Sequence, residues 1–234
     1  MSIPVRERLI VALDVPDVES AKSLVHTLGD AVVFYKIGLE LAMSGRYFEL
    51  LDWLLEQDKR VFADLKLYDI PATVAAAVRQ LRDRGASFLT VHGERSVMEA
   101  AAREKGERTR ILAVTVLTSI EQADLESVGI DVPVETLARR RAAQALGAGC
   151  DGVIASPLEA RRLREDLGPG ALIVTPGVRP AGSGGGDDQR RVATPRAALE
   201  AGADHIVVGR PIRTAADPRE AARRIQAEIA GCFE

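Results

Sequence analysis

The 234-residue chain is 47% hydrophobic, 28% charged and only 4% aromatic, a balance that can build a sizeable core and excludes a disordered or collagen-like polymer. Lysine and arginine number 31 against 34 aspartates and glutamates, a net charge of −3, which excludes a general attraction to nucleic acid or acidic membranes. Cys150 and Cys232 lie far apart with no CxxC spacing, so neither a disulfide framework nor a structural zinc site is expected. Residues 1–8 are short and polar, with no hydrophobic stretch long enough for a signal peptide or membrane span, and the expected location is the cytoplasm.

Eight short apolar runs rich in Val, Ile, Leu and Ala follow one another at residues 8–13, 32–37, 61–65, 88–91, 111–116, 152–155, 172–175 and 205–208. Each precedes a longer stretch with helical spacing, the mark of repeated strand–helix units. Capping residues open several of the helices: Asp17 before 18–28, Ser44 before 46–56, Ser156-Pro157 before 158–166, and Thr194-Pro195 before 196–200. Strands apolar on both faces belong to a parallel sheet covered by helices. Eight such units in about 250 residues predict an α/β chain folded as one (β/α)8 TIM barrel spanning 1–234. An open dinucleotide-binding sheet would want a GxGxxG turn after the first strand, where this chain has Asp14-Val15-Pro16-Asp17. Residues 180–188, PAGSGGGDD, follow the seventh strand and read as a surface loop or, more sharply, as a lid.

Active sites of such barrels lie at the carboxyl ends of the strands. There the chain places Asp14 after the first strand, Lys36 within the second, Asp64 and Lys66 at the end of the third, and Asp69 in the next loop. Alternation along a strand puts Asp64 and Lys66 on one face and sends Ala63 and Leu65 to the helix layer. Unpaired charges in the interior are costly, so Asp64 and Lys66 are expected to pair with each other or with Lys36 and Asp69 in an alternating quartet. A purely structural ion-pair network is the competing explanation. Against it, a chain with 26 arginines and five lysines keeps lysine at both interior positions, and lysine can release a proton near neutrality where arginine cannot. After strands seven and eight, Thr175-Pro176-Gly177-Val178-Arg179 and Val207-Val208-Gly209-Arg210-Pro211 fit a phosphate site, with Gln189 beyond the glycine-rich loop. Glycine allows close backbone approach there, and arginine offers bidentate donors.

These motifs together resemble the orotidine 5′-monophosphate decarboxylase family of the bacterial type over nearly the whole chain. The family signature Asp-x-Lys-x-x-Asp-Ile-Pro-x-Thr stands here as Asp64-Leu65-Lys66-Leu67-Tyr68-Asp69-Ile70-Pro71-Ala72-Thr73. It is accompanied in order by Ala12-Leu13-Asp14, Lys36-Ile37-Gly38, Leu117-Thr118-Ser119, Pro176-Gly177-Val178-Arg179, Asp188-Gln189-Arg190 and Val208-Gly209-Arg210. The resemblance implies loss of carbon dioxide from orotidylate to give uridylate, without metal or cofactor. Lys66 would protonate carbon 6, and Asp64 and Asp69 would hold it. Asp14 and Lys36 would contact the ribose, and Ser156 and Gln189 the pyrimidine, with Thr118 nearby. Arg179, Gly209, Arg210 and Gln189 would meet the phosphate, beneath a lid at 182–188. It further implies a homodimer in which Asp69 and Thr73 serve the neighbouring subunit's site.

Two departures stand out: Tyr68 where many members have histidine, and Val91-His92-Gly93-Glu94-Arg95 in place of a more usual His-Ala-x-Gly-Gly. His92 is expected to be structural, and His26 and His205 ordinary helix and core residues. A sugar-phosphate decarboxylase or aldolase of the same superfamily is the nearest rival. Those relatives place an acid on strand two for magnesium, where this chain has Lys36, whose charge would repel a cation beside Asp64. A non-catalytic nucleotide-binding protein would have no need of Lys66. Nucleic-acid binding would rest on Arg139-Arg140-Arg141 and on Arg161, Arg162 and Arg164, helical arginines expected on solvated faces with no aromatic stacking platform.

Overall fold

The structure is a computed structural model and describes residues 3–180 and 192–233. Among them, eight parallel strands close into a barrel in chain order: β1 (Leu9–Ala12), β2 (Phe34–Ile37), β3 (Arg60–Leu67), β4 (Phe88–Val91), β5 (Arg110–Val114), β6 (Gly152–Ile154), β7 (Leu172–Thr175) and β8 (His205–Val208), with β8 pairing back onto β1. The helices between them are α1 (Val18–Leu28), α2 (Leu39–Met43), α3 (Tyr47–Glu56), α4 (Pro71–Asp83), α5 (Arg95–Glu104), α6 (Gln122–Ser127), α7 (Val134–Gly147), α8 (Ala160–Leu167) and α9 (Pro195–Glu200). Past β8 come α10 (Arg210–Arg213) and α11 (Pro218–Ala230). The expected TIM barrel is therefore the fold observed.

Strand alternation sorts the core into two layers. Leu9, Val11, Tyr35, Ile37, Val61, Ala63, Leu89, Ile173, Ile206 and Val208 pack outward against the helices. The residues between them, Ile10, Ala12, Phe34, Phe62, Phe88, Leu112, Val174 and Val207, fill the barrel. Burying each of the three phenylalanines is worth roughly 1.5–3 kcal/mol. His205 joins this interior at the amino-terminal end, edge-on to Phe34 and Phe88 at 5.8 and 5.1 Å between ring centroids. The Arg60 guanidinium lies 4.7 Å over Phe34 and pairs with Glu7. The amino-terminal mouth is thus closed by apolar and aromatic packing, which leaves the carboxyl end for chemistry.

Side-chain caps mark some of the helix starts. Asp17 accepts from Ser20 N–H at 2.8 Å and opens α1, and Thr194 accepts from Ala197 N–H at 3.2 Å and opens α9. Two expected starts are corrected. Ser44 ends α2, its hydroxyl donating to Leu41 O at 2.7 Å, and α3 begins at Tyr47 without a side-chain cap. Ser156-Pro157 opens a turn rather than a helix, with Glu159 N–H donating to Ser156 O, so α8 starts only at Ala160.

Candidate active site

Continuing the inward-facing positions of β1 to β4 toward their carboxyl ends gives Asp14, Lys36, Asp64 and Thr90. The structure joins the three charged residues to Lys66 in one chain. Lys36 Nζ lies 2.9 Å from Asp14 Oδ1 and 3.4 Å from Asp64 Oδ2, and Lys66 Nζ lies 2.9 Å from Asp64 Oδ1. Cations and carboxylates therefore alternate, which is what makes burying them tolerable. Burial works against the charge of Asp64, but the two ammonium groups and the hydrogen bonds from Lys66 and Thr90 outweigh it and hold the carboxyl below its ordinary pKa. Burial likewise opposes the charge on Lys36, and Asp64 and Asp14 overcome it and raise its pKa.

Strand β3 does not reach Lys66 by plain alternation. Its register with β4 shifts between Ala63 and Leu67, and Lys66 adopts the left-handed region at φ +48°. A bulge of this kind re-aims a side chain at a sheet end, and here it turns the Lys66 ammonium back onto Asp64 while Leu65 packs against the outer core. Thr90, which sequence reading passed over, fixes the bulge: its Oγ1 accepts from Lys66 N–H at 2.9 Å and donates to Asp64 Oδ1 at 2.9 Å. Its only sequence signal is a hydroxyl at an inward position of an otherwise apolar strand.

Within one chain, Asp69 stands apart from the other members of the expected quartet. It is exposed, its Oδ1 accepts from Ile70 N–H at 2.6 Å, and it forms no ion pair with Lys66 among the described residues. The third cation–carboxylate contact comes from Asp14 instead. The loop carrying Asp69 leaves the barrel mouth, so Asp69 and Thr73 do not line the cavity of their own chain.

That cavity, about 610 Å³, is lined by Asp14, Lys36, Asp64 and Lys66 together with Arg179, Gly209, Arg210 and Thr118. Gly209 caps α10, and a Cβ there would press on Ala12 at 3.3 Å, so close packing against β1 as well as access to the cavity favours glycine. Glu40 and Arg213 also line the cavity, and sequence reading did not single them out. Ser156 does not line it: fully buried, it donates its N–H to Glu159 Oε2 at 3.1 Å and accepts at Oγ from Leu158 N–H at 3.3 Å. Gln189 and the expected lid at 182–188 lie outside the described residues.

The two sequence departures meet in space. The Tyr68 ring lies on Gly93, where any Cβ would run into it, and its hydroxyl donates to Glu94 Oε1 at 3.0 Å. Gly93 is at φ +92°, a second reason for glycine. His92 donates its backbone N–H to Leu67 O at 3.1 Å, and its ring, 6.0 Å from that of Tyr68, stays off the cavity. Burial and the nearby Arg141 push its pKa down. His205 is the buried core residue expected, and Arg139 of the basic run pairs with Asp166. Among the described residues no three His, Cys, Asp or Glu side chains converge to hold a metal ion, and no helix is long and apolar enough to cross a membrane.

The sequence profile of the Orotidine 5'-phosphate decarboxylase / HUMPS family matches residues 7–225. The chain is 56% identical over 231 residues to the orotidine 5'-phosphate decarboxylase of Methylococcus capsulatus, a match that covers 99% of this chain and 95% of that protein. It is 52% identical over 234 residues to that of Stenotrophomonas maltophilia, covering 99% and 97%. Its fold is similar to the crystal structure of orotidine 5'-phosphate decarboxylase from Lactobacillus acidophilus, with a TM-score of 0.84 at 36% identity over 95% of this chain and 99% of that one. With the signature at 64–73 seated on the barrel mouth and a match along nearly its whole length, the chain belongs to the orotidine 5'-phosphate decarboxylase / HUMPS family.

Proposed function

We propose that the chain decarboxylates orotidine 5'-monophosphate to uridine 5'-monophosphate in pyrimidine nucleotide synthesis, with Lys66 as proton donor and with neither metal nor cofactor. The observation that carries this reading is the chain Asp14–Lys36–Asp64–Lys66 in the wall of a cavity that Arg179 and Arg210 also line. A nucleotide fits between them, its phosphate on the arginines and Gly209 and its ribose on Asp14 and Lys36. The base then stands beside Lys66, with Thr118 in the adjoining wall. The bond from carbon 6 to the carboxyl breaks, carbon dioxide leaves, and the electron pair stays on carbon 6. The Lys66 ammonium gives that carbon its proton and is reprotonated from water. An ammonium beside the developing carbanion stabilises the transition state more than the ground state, and Asp64, held ionised by its neighbours, aims that ammonium. The resemblance to the family adds Ser156 and Gln189 on the pyrimidine.

The magnesium-dependent alternative, a sugar-phosphate lyase, wants an acid where Lys36 stands, and Lys36 Nζ lies 3.4 Å from Asp64, close enough to repel a divalent cation there. The single barrel is read as one domain, 1–234, working as a homodimer in which Asp69 and Thr73 complete the site of the other subunit. In support, Asp69 turns away from its own Lys66, and Tyr68 and Ile70 beside it are 60% and 66% exposed. Nucleic acid and membranes are not partners, and free thiols at Cys150 and Cys232 suit the cytoplasm. The test is to follow the ultraviolet absorbance of orotidylate with purified protein in excess chelator. Conversion to uridylate is expected, and activity that vanishes with chelator and returns with magnesium overturns the metal-free reading.

A further inference from the structure

The chemistry proposed for Lys66 depends on an ammonium at the end of a flexible four-carbon stem, set on a backbone at φ +48°, a conformation that a residue with a Cβ adopts only when its surroundings impose it. In the bulge, β3 has left its ladder with β4: no register pair joins the strands between Ala63 and Leu67. The Lys66 N–H has therefore lost the carbonyl that a regular strand would give it, and this part-buried amide needs another acceptor. It finds the hydroxyl of Thr90, which is fully buried. A hydroxyl has a single proton to donate. With a lone pair engaged by Lys66 N–H, that proton goes to Asp64 Oδ1, the same oxygen that receives the Lys66 ammonium. One side chain thus ties the backbone of Lys66 to the carboxylate that aims its tip, closing a ring of three hydrogen bonds, each 2.9 Å.

We propose that Thr90 is a positioning residue for Lys66, holding the strained bulge and the central carboxylate in one geometry. This rests on the reading of Lys66 as the proton donor. Thr90 does not line the cavity, so it acts on turnover and not on the surface that binds the nucleotide. Valine is isosteric but lacks both the donor and the acceptor, and leaves the Lys66 amide and one Asp64 contact unmet. Serine restores them.

The test compares full-length wild type with Thr90→Val, and Thr90→Ala with Thr90→Ser, a pair that differs only in the hydroxyl and serves even where Thr90→Val fails to fold. With orotidylate as substrate, kcat is expected to fall about 10- to 100-fold in Thr90→Val and Thr90→Ala, KM to stay within about twofold, and Thr90→Ser to recover to within about threefold of wild type. Amide hydrogen exchange at Lys66 is expected to speed up in Thr90→Val and Thr90→Ala and to stay slow in Thr90→Ser. Turnover in Thr90→Ala equal to that of Thr90→Ser, or a loss confined to KM, overturns the proposal, as does an unchanged exchange rate. Wild-type protein that leaves orotidylate intact overturns the proposed function instead, and the exchange comparison then decides the Thr90 clasp independently of activity.

Discussion

A guanidinium meets a phosphate through charge-assisted, often bidentate hydrogen bonds, and Arg210 is the first residue of α10 and lines the same cavity as the lysines. Arg210→Ala is expected to raise KM for orotidylate about 10- to 100-fold while leaving the slow turnover of the unphosphorylated nucleoside nearly unchanged. Steady-state kinetics on both substrates checks this, and equal damage to both makes Arg210 structural. At the other mouth, burial pushes the pKa of His205 down to about 4, against a hydrogen bond to Glu7 O that opposes the shift in part. Unfolded, the same imidazole titrates near 6.5. Between those values the unfolded chain binds the extra proton, so stability is full above about pH 6.5 and falls with pH down to about 4, by up to about 3 kcal/mol from this group. Urea unfolding of wild type and His205→Asn across that range is expected to give a flatter dependence in the variant, and parallel curves would remove His205 from the account.

The loop that follows β3 is fastened to β4 by Tyr68 on Gly93, by the Tyr68–Glu94 hydrogen bond and by His92 N–H to Leu67 O. Gly93→Ala introduces both a left-handed alanine and a clash, and is expected to cost roughly 1–3 kcal/mol in urea unfolding. Adding Tyr68→Ala relieves the clash and is expected to recover part of that loss, whereas strictly additive losses would separate the two positions. Elements with one strong physical signal were legible in the sequence: β4, β7 and β8 have the expected limits because short, mainly apolar runs stop at His92, Pro176 and Gly209, and α1 begins where Asp17 caps it. Ser44 and Ser156 misled because a serine hydroxyl also closes helices and turns, bonding Leu41 O in one case and Leu158 N–H in the other. The meeting of Asp64 and Lys66 was legible from their spacing, but its route was not, since alternation carries no sign of a bulge. Thr90 stayed hidden because threonine in a strand reads first as a good strand former. That Asp14 and not Asp69 completes the charge chain depends on which way the β3 loop turns, which the spacing of the signature leaves open.

At the scale of the whole molecule, Asp14, Lys36, Asp64 and Lys66 come together at the carboxyl ends of β1 to β3, while Asp69 faces outward. In the proposed homodimer, whose two-fold interface is self-complementary, each site would take Lys66 from one chain and Asp69 from the other. Mixing inactive Lys66→Ala with inactive Asp69→Ala protein under subunit exchange is then expected to restore activity, because one site of each heterodimer is fully wild type. Exchange confirmed by mass spectrometry with no return of activity would place both residues in the same site of one chain.

The most direct measurement of the central claim is the turnover of orotidylate, in chelator, by wild type and by Lys66→Ala of confirmed fold. The claim predicts uridylate from the wild type and a fall of at least about 10²-fold in the variant, the range lost with a general acid, while Asp64 keeps its contacts with Lys36 and Thr90. Turnover by Lys66→Ala close to that of the wild type would contradict it and move the proton donor elsewhere.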